Sequence, residues 1–198
     1  MWVPVAVDPA KPERVSISLP RAQAVREIRE GASFEKLFAL ESHLENPAHG
    51  RQIMLRRALF QLFIGNSDAH GKNLSFHVRP AGLSPAPFYD LVSVNAYADA
   101  LEQDMALADG DAFRLEELSA LELAYFAQRT GTPRALLARE LTRTAHAITR
   151  VAGDLAQSRV YVGEERSFVG RIRDFVIVQA GKLMQLAPEV PRIDPSLL

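Results

Sequence analysis

The chain has 198 residues, 47% of them hydrophobic, enough to bury roughly 70% of the surface its unfolded form exposes and consistent with one domain or one lobe of a larger one. Its 23 basic and 24 acidic residues leave a net charge of −1, so no global positive field draws it onto nucleic acid or an anionic membrane. It contains no cysteine, which excludes disulfides, thiolate metal sites and a cysteine nucleophile together.

The N-terminus lacks a basic start followed by an apolar core, and no window reaches the ~18 uninterrupted apolar residues of a membrane helix. A soluble, cytoplasmic protein is the expectation. Residues 1–20 contain Pro4, Pro9, Pro12 and Pro20, which remove amide donors and fix φ, so an extended proline-rich segment is predicted. Within it Val15, Ile17 and Leu19 alternate with Arg14, Ser16 and Ser18, the pattern of a short edge strand. Residues 22–30 read as a helix ended by Gly31, and Ser33 is placed to cap a second one carrying Phe34, Leu37, Phe38 and Leu40.

Residues 46–50, Asn-Pro-Ala-His-Gly, read as a break. After them residues 52–64 are apolar nearly all round, which predicts a central buried helix ended by Gly65. Two apolar segments follow, around residues 74–78 and 86–89, separated by Pro, Gly and Ser and predicted to pair as a hairpin. From residue 91 to 113 helix, turn and strand signals compete. Ser119 is expected to cap a helix over residues 120–130 closed by Gly131. Thr132 then caps a further helix with Pro133 at its first position. A last helix over about residues 164–186 is stopped by Pro188, and Pro191 and Pro195 keep residues 188–198 a non-helical tail.

Polar chemistry is concentrated where the buried helix ends. Asn66, Asp68, His70, Lys72 and Asn73 follow directly on the apolar run, and Asp90 ends the second apolar segment. Phosphoryl transfer from ATP needs a carboxylate to orient and deprotonate the attacking hydroxyl, together with hard oxygen ligands for magnesium. An Asp, an Asn five residues on and a second Asp beyond a hairpin is the spacing of a protein-kinase catalytic loop and its metal-binding Asp. Taken singly, Asn66, Ser67 and Gly71 are ordinary turn residues and Asp68 a solvated carboxylate. The combination of Asp68, Asn73 and Asp90 is what points to function. The histidines at 43, 49, 70 and 77 lack metal-ligand spacing, so zinc is not expected. The helices over residues 121–142 are more readily packing elements than a DNA-reading helix-turn-helix.

The run from Asn66 to Ser75, followed by Pro87-Phe88-Tyr89-Asp90-Leu91-Val92-Ser93, resembles the catalytic segment of the HipA family of bacterial toxin kinases, whose pattern is close to N-x-D-x-H-x-K-N-x-S and then Y-D-[LIV]-[LIV]-S. Asp104-Met105-Ala106-Leu107 is similar to a later segment of that family. The resemblance implies a mostly α fold, the helical C-lobe of a HipA-like protein kinase with one small β-hairpin beside the catalytic loop, over residues 21–187. It implies a serine/threonine kinase using ATP and Mg2+, with Asp68 as catalytic base. Asn73 and Asp90 would be the magnesium ligands, and His70 and Lys72 would brace the loop or meet phosphate oxygens. Asn66 and Ser75 would hold the loop's shape, with Asn66 beside the cofactor. Implied partners are a protein substrate and an antitoxin-like DNA-binding protein, with no direct nucleic-acid binding by this chain. Nothing in residues 1–45 resembles the family's N-lobe, with its glycine loop and strand lysine, so a missing N-lobe in cis or trans is expected and ATP binding by this chain alone should be weak. The alternative is a non-catalytic, kinase-derived helical module that binds such a partner.

Overall fold

The computed structural model of the protein describes residues 33–97 and 104–198. The extended segment expected at residues 1–20 and the helix expected at 22–30 lie outside the described residues. The α-helices are α1 (Phe34–Phe38), α2 (Pro47–Ile64), α3 (Ala120–Arg129), α4 (Arg134–Ala156) and α5 (Gly163–Leu186). An antiparallel hairpin joins β1 (Phe76–Arg79) to β2 (Gly82–Pro85). Among the described residues the protein is therefore mostly helical with one small hairpin, as the sequence predicts.

Helix α2 is the axis of the fold. Ten of its eighteen residues are buried, among them Leu55, Leu59, Leu62 and Phe63, and each such side chain stabilises the fold by about 1.5–3 kcal/mol through burial. Helices α1, α4 and α5 and strand β2 all pack against it. It begins earlier than expected: Asn46 caps it by accepting from the His49 N–H at 3.1 Å, and Pro47 occupies the first turn, where its missing donor costs nothing. Residues 46–50 are thus a helix start and not a break. Gly50 lies inside the helix because Leu44 crosses it there, and a Cβ would stand 2.7 Å from the Leu44 Cδ1. At the other end Gly65 adopts φ 64°, and its N–H returns to the Gln61 carbonyl.

The remaining helices close around this axis. Ser119 caps α3, accepting from Glu122 N–H at 3.3 Å. Phe34 and Phe38 stand edge-on to Phe126, with ring centroids 5.3 and 6.1 Å away. Thr132 does not cap α4. Pro133 holds the cap position, its carbonyl accepting from Leu137 N–H at 3.0 Å, while the Thr132 hydroxyl pairs with that of Thr130 at 2.9 Å. Helices α4 and α5 pack along each other. Glu140 of α4 is buried and takes hydrogen bonds from Arg56 of α2 at 3.1 Å and from Arg143. Burial pushes its carboxyl up, but these two arginines outweigh that and hold it below the usual range. The tail forms 3₁₀ turns at Val190–Arg192 and Pro195–Leu197, buries Val190 in the core, and receives the Tyr125 hydroxyl on the Leu197 carbonyl at 2.6 Å. No helix among the described residues is long and apolar enough to cross a membrane.

The hairpin differs in register from the expected strands. Phe76 faces Pro85 and Arg79 faces Gly82, so the turn is only Pro80-Ala81 and the Gly-Leu-Ser-Pro stretch read as a turn is itself the second strand. Tertiary contact selects this pairing: Leu83 bridges to Leu44, and its carbonyl accepts from Glu45 N–H at 2.9 Å. Gly82, at φ 129°, passes so close that a Cβ would lie 2.7 Å from the His43 carbonyl oxygen. Residues 86–90 continue beyond the strand, with Ala86 N–H donating to the Ser75 carbonyl at 2.9 Å.

At Gly65 a side chain would meet both a left-handed backbone and the Phe175 ring, 2.6 Å from the position of a Cβ. Gly65→Ala is expected to lower stability by about 1–3 kcal/mol, read as a shift in the urea midpoint at unchanged slope.

Candidate functional site

The chain leaves α2 at Gly65 and doubles back along the helix it has just completed. Asn66 is buried, and its Nδ2 donates to the Gln61 Oε1 at 2.9 Å and to the Asp90 carbonyl at 3.1 Å. One side chain therefore ties the helix end to the segment that follows the hairpin. The Ser67 carbonyl accepts from Ala106 N–H at 2.8 Å, fastening the loop to residues 104–113.

Asp68 projects an exposed side chain from this loop, while its carbonyl accepts from His70 N–H at 2.8 Å and from Asn73 Nδ2 at 3.2 Å. A 3₁₀ turn, Gly71–Asn73, completes the loop. Asn73 is buried. With its Nδ2 committed to the Asp68 carbonyl, its Oδ1 is the acceptor it has left to offer. His70 is half-buried, and its Nδ1 has no hydrogen-bond partner among the described residues; the buried Oδ1 of Asn66 is in the same position. Lys72 is exposed.

The returning segment is fixed by Tyr89. Its hydroxyl donates to the Lys72 carbonyl at 2.8 Å and lies 2.7 Å from the Ser75 Oγ. Asp90 follows with φ 56°, the one positive φ at a non-glycine residue among the described residues. That conformation costs an ordinary side chain about 1–2 kcal/mol, and Asp is among the few residues that tolerate it. Its exposed carboxylate is thus carried on the segment whose backbone is hydrogen-bonded to Asn66.

Sequence reasoning gave Tyr89 as a motif residue without a role and did not identify Gln61 or Arg57 as parts of this site. Arg57 is 7% exposed, donates to the Asn73 carbonyl, and places its guanidinium 5.2 Å from the Phe88 ring centroid and 5.7 Å from that of Tyr89. The available signal was the Arg56-Arg57 pair interrupting the apolar run of residues 53–64. Burial lowers the Arg57 pKa, while Tyr89 and Asp90 pull the other way.

Residues 104–113 support the loop from behind. Met105 N–H donates to the Phe113 carbonyl at 2.6 Å, and Asp109 and Ala112 exchange hydrogen bonds at 3.2 and 3.3 Å. Arg129 of α3 donates to the Gly110 carbonyl and the Asp111 Oδ1, each at 2.9 Å. Asp109 is 2% exposed, its Oδ1 has no partner among the described residues, and burial pushes its carboxyl up to about 8.

The family described as HipA-like C-terminal domain matches residues 16–154. The chain belongs to the HipA-like C-terminal domain family. It is 47% identical over 131 residues to the serine/threonine-protein kinase toxin HipA of Shewanella oneidensis, which covers 66% of this chain and 30% of that protein. A solved complex of Shewanella oneidensis HipA with HipB and operator DNA contains a chain matching this one with a TM-score of 0.80 and 39% identity. That match covers 87% of this chain and 40% of the other. This HipA-like chain thus spans less than half the length of the relatives it matches.

The fold accepts the neutral Asp109 carboxyl, so its contribution to stability is full below the unfolded value near 3.8 and is lost as pH rises toward about 8. The melting temperature should fall between about pH 5 and about pH 8, and Asp109→Asn should flatten that slope in a calorimetric pH series.

Proposed function

We propose that residues 66–90 form the metal- and hydroxyl-handling half of a HipA-type serine/threonine protein kinase, the C-lobe of an enzyme that transfers the ATP γ-phosphate to a protein hydroxyl. The observation that carries this is the fold-back of Asp90 onto the loop bearing Asp68 and Asn73, through Asn66 and Tyr89. In this reading the exposed Asp68 carboxylate orients the substrate hydroxyl and accepts its proton as oxygen bonds to phosphorus.

The donor set suits Mg2+, which takes hard oxygen ligands: the Asn73 Oδ1, left as acceptor once Nδ2 is committed to the Asp68 carbonyl, and the Asp90 carboxylate. When bound with ATP, the metal neutralises charge building on the phosphates. In this reading Lys72, exposed on the loop, meets phosphate oxygens, and His70, whose Nδ1 is buried, braces the loop. Asn66 holds the two arms of the site at one separation.

Kinship to a toxin kinase solved with its antitoxin and operator DNA supports the same setting here: a cytoplasmic toxin kinase held by an antitoxin-like DNA-binding partner, with an N-lobe supplied in cis or trans. The test uses this chain completed by the N-terminal portion of its Shewanella relative. Asp68→Asn should cut single-turnover phosphorylation by roughly 10² or more with little change in nucleotide affinity. Asp90→Asn should weaken both Mg2+-ATP binding and turnover. Full activity in Asp68→Asn would end the kinase reading of this loop, and equal loss of nucleotide affinity in both variants would end the division of roles.

A further inference from the structure

The geometry points to Arg57 as a positioning residue that sets the distance between the Asn73 arm and the Asp90 arm of the site. This inference rests on the reading of those two residues as metal ligands, and it concerns a side chain outside the catalytic motif, on the helix beneath it.

A buried guanidinium carries a large desolvation cost and is ordinarily matched by a carboxylate. Its more exposed neighbour Arg56 has a carboxylate partner in the buried Glu140. Arg57 points to a different side of α2, and its hydrogen bond goes to a neutral carbonyl, that of Asn73. Its other partners are the faces of Phe88 and Tyr89, both within the ~6 Å over which a cation is attracted to a ring. A Met or Leu would satisfy an apolar helix face better. What a planar, multi-donor cation adds is simultaneous contact with two chain segments.

Those segments are the two arms. Asn73 ends the loop, and Phe88 and Tyr89 immediately precede Asp90. The Asn66 bond joins the arms at the α2 end, the Tyr89 hydroxyl joins them near Lys72, and Arg57 braces both from the core side. The positive charge also lies close enough to feel the Asp90 carboxylate. Removing the guanidinium leaves the Asn66 and Tyr89 ties in place but loosens the separation of the arms on the core side.

The test uses the 198-residue chain with Arg57→Lys, which keeps the charge on a non-planar group, and Arg57→Met, which keeps much of the volume. Two readouts are taken: amide hydrogen exchange, and Mn2+ binding followed by electron paramagnetic resonance as a stand-in for Mg2+. The expected result is a cooperative fold in Arg57→Lys, with exchange faster by about tenfold at Asn73, Leu74 and Ala86 and unchanged in α4 and α5. Mn2+ affinity should fall by a similar factor. Unchanged exchange at those amides, or unchanged Mn2+ affinity in a folded variant while Asp90→Asn abolishes binding, would overturn the role. If Arg57→Met does not fold, Arg57→Lys decides alone, with Phe88→Leu as a second route to the same contact. Mn2+ binding insensitive to Asp90→Asn would instead sink the metal-ligand reading, leaving the exchange data to judge whether Arg57 fixes the arms.

Discussion

The structure depends on how a helix that is buried on most sides comes to an end. Helix α2 cannot stop in the core without leaving carbonyls unpaired, and it cannot run on without losing the loop that follows. Gly65 resolves this by turning left-handed against Phe175, where no larger residue fits. The chain then retraces α2 toward its start, meets Arg57 part-way, and fixes Leu83 beside Leu44 and Glu45. At about 1.5 Å per residue α2 is about 27 Å long, so one rigid rod sets the positions of both the loop and the hairpin.

The two adjacent arginines on that rod meet different electrostatic problems: at Arg56 the buried charge is its partner Glu140, and at Arg57 it is the arginine itself. Arg56 faces α4 and is matched by a buried glutamate that a second arginine also reaches. Arg57 faces the loop and is matched by rings and a carbonyl. The first arrangement secures helix to helix and leaves its surplus positive charge on arginines that reach solvent. The second keeps a positive field beside an exposed carboxylate, which suits a region where negative groups gather.

Much of this was legible in the sequence, because the signals were local. The glycine at 65 and the serines at 33 and 119 act through their own backbone and nearest neighbours, and each ends or starts a helix where predicted. The candidate loop was legible as a motif. Errors arose where a distant contact overrode a local sign. Gly50 looked like a breaker but makes room for Leu44, and Gly82 to Pro85 looked like a turn but is held as a strand by residues 43–45. Thr132 had the right chemistry for a cap, yet a nearby hydroxyl captured it. Arg57 was hidden for the same reason: its partners are sixteen residues away and more.

That separation has a bearing on the order in which the molecule can assemble. The contacts that shape the candidate site span 16 residues for Arg57 to Asn73 and 24 for Asn66 to Asp90, whereas Arg56 to Glu140 spans 84. By the logarithmic law of loop closure, joining ends 84 residues apart costs about 1.5 kcal/mol more chain entropy than joining ends 16 apart. Helix α2 with its returning loop therefore closes at lower entropic cost than the docking of α4 onto α2.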